Sequence, residues 1–414
     1  MAPSNIIINK PDQAVILCGG KGTRLLPYTQ DTPKPMMLCN GKPFLWYLLT
    51  QLNSQGINRF VLLIGYLGHN IEDYFGNGDE WGWKIEYSKG PVDWDTGKRI
   101  WKAKELFDKQ FLLLYSDNFI TLSLEKLAKS HKKNNKALTF TVSKKNPGNV
   151  QIDNDGIVKK YDNQRSSNLN YVEIGFMIID AEQMLKFYDN EDCNFSKILK
   201  NMSNQGQINS HIHRDTYHSI SDVKRWKKTE RYLGKNKIIL IDRDGVINQK
   251  SLRGEYVAKW SNFKWIPDTI NTMKILAKEG FEFIVITNQA GVARKIIDEN
   301  ELAKIHQNMT LELEKHGVNI LDTYVCMHHW DDRCSCRKPK PGMFFQASND
   351  WLFRLDQTFF IGDDPRDCQA AFNAGCMSIF IGDSQELNNL KTEEMPTYIF
   401  SNLSSSIEAL KSHY

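Results

Sequence analysis

The chain has 414 residues, 41% hydrophobic and 11% aromatic, which is material for two ordinary globular cores rather than one. Its formal net charge is only +4, with acids and bases mixed along the chain, so the concentrated basic face of a nucleic-acid binder is excluded. No stretch approaches the apolar length of a membrane span, and the opening MAPSNIIINKPDQ has no apolar core of signal-peptide length. A cytoplasmic protein acting on small molecules is expected, with no nucleic-acid and no membrane partner; a homo-oligomer stays open.

In chain order, the first element is the apolar run AVILC followed by GGKGTRL, Ala14 to Leu25, a strand running into a glycine-rich turn. Further strands are expected at Phe60–Tyr66, Phe111–Asp117, Leu138–Val142 and Glu173–Asp180. A charged helix over Val223–Lys237, stopped by Gly234, should close a first domain at 1–234. The grammar then restarts with KIILIDRDGVI at Lys237, and strands follow at Phe281–Asn288, Phe359–Asp364 and Ser378–Gly382, giving a second domain at 235–414. Near-continuous apolar runs of this length suit parallel strands buried on both faces, so both domains read as doubly wound α/β units with their chemistry at the strands' carboxyl ends.

In the first turn, Gly19, Gly20 and Gly22 permit tight backbone with amides aimed at phosphate oxygens, while Arg24 and Lys34 add charge. The full string from Gly19 to Pro43 resembles the signature of the sugar-1-phosphate nucleotidyltransferases, GGxGTRLxPxTxxxPKPMxxxxGKP. The resemblance implies a Rossmann-like domain and attack of a sugar phosphate oxygen on the α-phosphorus of a nucleoside triphosphate. It assigns Gly19, Gly20, Gly22 and Thr23 to the nucleotide, Arg24 to the triphosphate and Lys34 to a bridge between the two substrates' phosphates. Asp117 would hold Mg2+, Thr96 and Gly97 would lie near the nucleotide, and Glu173 would receive sugar hydroxyls. The family's second metal-binding aspartate is absent: Ser219 stands in its place, with Asp222 three residues on as the substitute. Tyr217 and His218 remain without a role.

In the second half, Asp242 and Asp244 follow an apolar strand one residue apart, a spacing that strand alternation would place on one side. A nucleophilic carboxylate with a second carboxyl to move protons is what a phospho-aspartyl phosphatase requires. Thr287 and Asn288, then Arg337 and Lys338, then Asp363 and Asp364 follow in order, and together they resemble the haloacid dehalogenase superfamily. That resemblance implies Asp242 as nucleophile and Asp244 as general acid/base. It implies Thr287, Asn288, Arg337 and Lys338 on the substrate phosphate, and Mg2+ on Asp242, Asp363 and the Asp244 carbonyl.

Of the eight cysteines, Cys18, Cys39, Cys193, Cys368 and Cys376 read as isolated core thiols. Cys326, His328, Cys334 and Cys336 form a zinc-ligand set within eleven residues, with His329 as a competitor for His328. A zinc-stapled loop leading into CRKPKPGM resembles the heptose-bisphosphate and histidinol-phosphate phosphatase branch, where zinc is structural. The stretches Arg253–Asp268 and TNQAGVAR lean toward the D-glycero-D-manno-heptose 1,7-bisphosphate 7-phosphatases. No insertion of cap-domain size is expected.

Overall fold

The computed structural model describes residues 10–165, 169–192, 194–252 and 255–414. Cys193, Arg253 and Gly254 therefore lie outside the described residues. The chain forms two compact units, residues 1–231 and 232–414, dividing at the last turn of a helix that spans Val223–Tyr232 and ends short of Gly234.

The first unit is built on strands β1 (Gln13–Cys18), β2 (Arg59–Ile64), β3 (Lys84–Lys89), β4 (Gln110–Tyr115), β5 (Leu138–Lys144), β6 (Tyr171–Asp180) and β7 (Ile208–His213). Their spatial order is β3-β2-β1-β4-β6-β5-β7, and a short hairpin of Val150–Ile152 and Val158–Tyr161 joins beside β6. Strands β1 to β4 are parallel, but β6 runs antiparallel to both β4 and β5. The expectation of parallel strands is thus corrected on this side: apolarity reports burial on both faces and does not encode strand direction. The order reverses between β1 and β4, and at such a reversal the helices diverge and leave a crevice at the strands' carboxyl ends. Gly19 and Asp117 flank that crevice.

The second unit is β8 (Ile238–Ile241), β9 (Glu282–Asn288), β10 (Ile320–Cys326), β11 (Phe359–Gly362), β12 (Met377–Ile381) and β13 (Tyr398–Phe400). Their order is β10-β9-β8-β11-β12-β13, with every pair parallel. Alternation along the strands builds both faces: Ile239, Ile241, Phe283 and Val285 enter one core, Ile238, Leu240, Ile284 and Ile286 the other. The switch point falls between β8 and β11, so Asp242 and Asp363 emerge side by side. Among the described residues, the segment from Gln249 to Asp268 carries only one 3-10 turn, Trp260–Asn262, and no cap-sized insertion. Among the described residues, no helix is long and apolar enough to cross a membrane.

Candidate active sites

In the first unit a cleft of about 370 Å³ opens over the switch point, walled by Gly19, Gly20, Gly22, Thr23, Arg24, Lys34, Trp94, Thr96, Asp117 and Ser221 among others. The three glycines are glycine for three different reasons. Gly22 adopts φ 65°, a left-handed conformation that caps the 3-10 turn Thr23–Leu25. At Gly19 a Cβ would fall 2.4 Å from the Arg99 guanidinium carbon, so bare backbone is required by packing from beneath. At Gly20 a Cβ would meet nothing within 4 Å, and the open space belongs to the cleft. All three line the cleft.

Arg99 carries no signal in the sequence, because a single arginine in a helix does not announce its own burial. It is 5% exposed and donates to the carbonyls of Ile64 at 2.9 Å, Pro91 at 2.6 Å and Gly19 at 3.4 Å, tying the 90–91 turn to the end of β2 and to the glycine loop. Thr96 opens the helix Thr96–Lys102, whose N-cap Asp95 accepts from the Lys98 amide, and lines the cleft. Gly97 lies behind it, buried, its carbonyl accepting from the Tyr188 hydroxyl at 3.2 Å. Trp94, equally silent in the sequence, adds an aromatic wall.

Lys34 is ion-paired with Asp117, so each offsets the other's charge. Arg24 and Thr23 stand exposed at the mouth. Glu173 is not among the residues that line the cleft: its carboxylate accepts from the Gly175 amide, where β6 is broken by a bulge at Gly175 and Phe176, with φ 87° and 55°. Burial, and then the Asp117 charge, push the Glu173 carboxyl up to about 7. Ser219 is buried in a two-residue bridge to Asn118–Phe119, its hydroxyl within 3.3 Å of Ser221 and 3.4 Å of Arg225. Asp222 caps the next helix by accepting from the Arg225 amide at 2.9 Å, and it is Ser221 that lines the cleft. The structure does not bring Asp222 into the lining, because its carboxylate is committed to that cap and to Arg225. His218 is buried in the bridge, and burial lowers its pKa to about 3.

In the second unit β8 ends at Ile241, so strand alternation does not govern Asp242 and Asp244; the chain turns sharply at Gly245, φ 95°. A Cβ there would sit 2.0 Å from an Asp363 oxygen, so glycine is what lets the two loops close on each other. Asp242 is 8% exposed and forms an ion pair with Lys338 Nζ at 2.9 Å, which also pairs with Asp367 at 2.8 Å. Burial pushes the Asp242 carboxyl up to about 7 against the pull of Lys338, with Asp367, Asp363 and Asp244 adding repulsion. For Lys338, burial works against the charge, but Asp242 and Asp367 outweigh it and raise its pKa.

Asp244 faces other partners: Arg243, the Asn248 amide at 2.9 Å and the Gln289 amide at 2.7 Å. Burial opposes its ionisation, yet these donors, led by Arg243, bring its pKa below the usual carboxylate value. Thr287 is buried and accepts from Gln289 at 2.9 Å. Asn288 does not present its side chain to the centre. Its amide is spent on both backbone groups of Lys338, at 3.2 and 3.0 Å, so it holds that lysine's chain in place. Arg337 keeps a buried Nη1 with no hydrogen-bond partner. Asp364 caps the helix Pro365–Ala374 and pairs with Arg366, whereas Asp367, one turn in, is the carboxylate that reaches Lys338. Asp367 is absent from the site expected of the sequence, which ends with the strand, although the Asp-x-x-x-Asp spacing from Asp363 is a usable signal for it.

Two groups of side chains have the composition of metal sites. Oxygens of Asp242, Asp363 and Asp367 lie within 4.8 Å of one another, and Asp363 keeps a buried Oδ1 without a partner. This donor set is hard, anionic and incompletely neutralised, which fits a magnesium ion. Lys250 Nζ, 2.8 Å from Asp363 Oδ2, supplies a positive charge at the same place. Cys326, His328, Cys334 and Cys336 also converge within 4.8 Å. Their edges are 3.8 Å and 3.4 Å for sulfur pairs and 3.7 Å and 3.2 Å from sulfur to His328 Nδ1. A tetrahedron with a metal–sulfur distance of about 2.3 Å has edges of about 3.8 Å, so the set fits zinc. His329 is not in the group and instead caps the turn Trp330–Asp332. Of the isolated thiols, Cys18, Cys39 and Cys368 are buried and Cys376 is half-buried.

Residues 13–227 match the nucleotidyl transferase family model, and residues 237–374 match the polynucleotide kinase 3 phosphatase model. A probable glucose-1-phosphate cytidylyltransferase of Bacillus subtilis is 30% identical over 249 residues, covering 53% of this chain and 98% of the relative. A D-glycero-alpha-D-manno-heptose-1,7-bisphosphate 7-phosphatase of Mycobacterium tuberculosis is 34% identical over 154 residues, 35% of this chain and 78% of that protein. The chain belongs to both families, one in each half. The corresponding beta-heptose enzyme of Photorhabdus laumondii is 32% identical over 180 residues, 42% of this chain and 94% of its own length. The chain is therefore a fusion of a nucleotidyltransferase half and a half homologous to heptose bisphosphate phosphatases.

Proposed function

We propose that the chain carries out two consecutive steps in making a nucleotide-activated heptose, with working units at 1–234 and 235–414. The second half would remove the 7-phosphate of D-glycero-D-manno-heptose 1,7-bisphosphate, and the first would transfer GMP from GTP to the resulting 1-phosphate. One observation carries this reading: a phosphatase-like half whose relatives leave a 1-phosphate is joined to a half whose family consumes one.

In the phosphatase half, Asp244 takes up a proton as the substrate phosphate enters, Asp242 attacks the phosphorus, the bond to the sugar oxygen breaks, and Asp244 gives that oxygen its proton. Asp244 then takes a proton from the water that splits the phospho-aspartate, and phosphate leaves. Lys338, held by Asp367 and Asn288, balances the charge of nucleophile and phosphate, with Thr287 and Arg337 on the phosphoryl oxygens. A magnesium ion on Asp242, Asp363 and the Asp244 carbonyl would supply the remaining charge neutralisation. Zinc on the four-ligand set would pin the loop that carries Arg337 and Lys338.

In the transferase half, the sugar phosphate oxygen attacks the α-phosphorus in line and pyrophosphate leaves, a reaction helped mostly by positioning and charge. Arg24, Thr23 and the glycine loop would hold the triphosphate, Thr96 and Gly97 the nucleoside, and Glu173 the sugar. Lys34 would exchange Asp117 for the two phosphates. Asp117 would be the protein ligand to magnesium, whose shell is commonly completed by phosphate and water. Both steps would run in the cytoplasm.

The cytidylyltransferase relative favours a second reading in which CTP is the donor. Pyrophosphate release from each of the four nucleoside triphosphates with heptose 1-phosphate separates the two. Release with GTP supports the first reading, release with CTP the second, and release with none contradicts both.

A further inference from the structure

Arg243 stands between the two proposed catalytic aspartates and is wholly buried. Its backbone amide donates to Asp242 Oδ1 at 2.8 Å. Its Nη2 donates to both oxygens of Asp244, at 3.0 and 2.9 Å, and its Nε reaches Oδ1 at 3.3 Å. The remaining end, Nη1, points away from the aspartates and meets Nε2 of His306 at 2.9 Å. His306 lies on the helix Glu299–Lys315, away from the loops that carry the site.

A guanidinium has donors and no acceptor, so His306 Nε2 must accept, and the ring must be neutral with its proton on Nδ1. The surroundings favour that state: burial, and then the Arg243 charge, bring the His306 pKa down to about 3. Because a buried charged donor left unmet is costly, the acceptor fixes how the guanidinium is turned. Turning it would misplace the two-pronged contact that orients the Asp244 carboxylate.

We propose that His306 is a positioning residue of the phosphatase half, a neutral acceptor that locks the Arg243 guanidinium and through it holds Asp244 for its proton transfers. This rests on the assignment of Asp242 as nucleophile and Asp244 as general acid/base. His306 touches neither substrate nor nucleophile, so its loss slows the proton-transfer steps and leaves phosphate binding alone.

p-Nitrophenyl phosphate separates these steps. Its leaving group departs as the nitrophenolate anion without needing a proton, so formation of phospho-Asp242 bypasses Asp244. Hydrolysis of the phospho-enzyme still requires Asp244 to take a proton from water. In the full-length His306→Phe protein, which fills the ring's volume without an acceptor, a burst of about one nitrophenolate per enzyme is expected. Steady turnover should follow at roughly tenfold to a hundredfold below wild type, the range over which positioned acid–base groups act. KM should fall together with kcat, so that kcat/KM, which reports formation of phospho-Asp242, stays within about twofold, and His306→Gln, which restores an acceptor, should recover most of the turnover. If His306→Phe does not fold, as judged by its melting curve, His306→Leu carries the same expectation. Turnover equal to wild type, loss of burst and turnover together in a folded protein, or a Gln variant as slow as Phe would each overturn the proposal. If Asp242→Asn still releases phosphate, the nucleophile assignment itself fails, and the role of His306 with it.

Discussion

The two centres solve the same problem, phosphate charge, in opposite ways. In the transferase cleft the cations lie on the rim or wall, with Arg24 exposed and Lys34 paired to Asp117. In the phosphatase centre the charges are packed inside, with Lys338 and Asp367 3% to 4% exposed and Asp242 raised to about 7 by burial. An open cleft suits a long, flexible triphosphate whose charge arrives with the ligand. A buried, preassembled network suits a covalent step at one small group, where the protein must already hold nucleophile, cation and proton carrier in register.

The sharpest way to break this comparison is to remove the proposed inner nucleophile. Asp242→Asn should lower phosphate release by at least about a thousandfold and leave pyrophosphate release from a sugar 1-phosphate unchanged. Steady-state assays of both products on one preparation check it, and parallel loss of both would mean the centres are not independent. Next in size, Lys34→Ala should cost the transferase roughly a hundredfold or more while the phosphatase keeps its rate. Equal rates before and after would show that the Lys34–Asp117 pair is only structural.

Zinc removal acts on one side as well. Stripping the metal with a chelator, or Cys336→Ser, should release about one equivalent of zinc and lower the melting temperature of the phosphatase half by several degrees, a few kcal/mol. An unmoved melting curve with no zinc released would show that the four-ligand set holds no metal.

The smallest expected effect concerns pH. Each half carries one carboxyl raised to about 7, Glu173 in the first and Asp242 in the second. A raised carboxyl favours the folded state while protonated. Its stabilisation is therefore complete below the unfolded value near 4 and is lost as pH climbs to about 7. In metal-free protein, Glu173→Gln should flatten the pH 4–7 slope of the first half's melting alone, by an amount on the order of a few kcal/mol. Asp242→Asn should do the same for the second. A slope that survives both substitutions would place its origin elsewhere.

Much of this is legible in the sequence, and the limits have physical reasons. Both strand-turn openings, the cap-free second half and the Cys326–Cys336 ligand set can be read because motif, spacing and apolar run coincide. Strand direction in the first sheet cannot, since β6 is as apolar as its parallel neighbours. Nor can Arg99, whose importance lies in long-range contacts that one-dimensional spacing does not show, whereas Asp367 is announced only by its spacing from Asp363. Asn288 reads as facing the phosphate because its neighbour Thr287 ends the same strand, yet the side chain turns to the Lys338 backbone. At Ser219 the sequence shows that the usual carboxylate is missing. The structure adds that Asp222 is occupied as a helix cap, which leaves Asp117 and the helix-capping Asp95 as the aspartates lining the cleft.

The most direct test follows phosphate and pyrophosphate together when the intact protein is given heptose 1,7-bisphosphate, magnesium and the nucleoside triphosphate it uses. Wild type should release phosphate first and pyrophosphate after it. Asp242→Asn should release neither from the bisphosphate, yet give pyrophosphate at the wild-type rate from heptose 1-phosphate. Pyrophosphate released by Asp242→Asn from the bisphosphate as fast as by wild type would contradict the proposed order of the two steps.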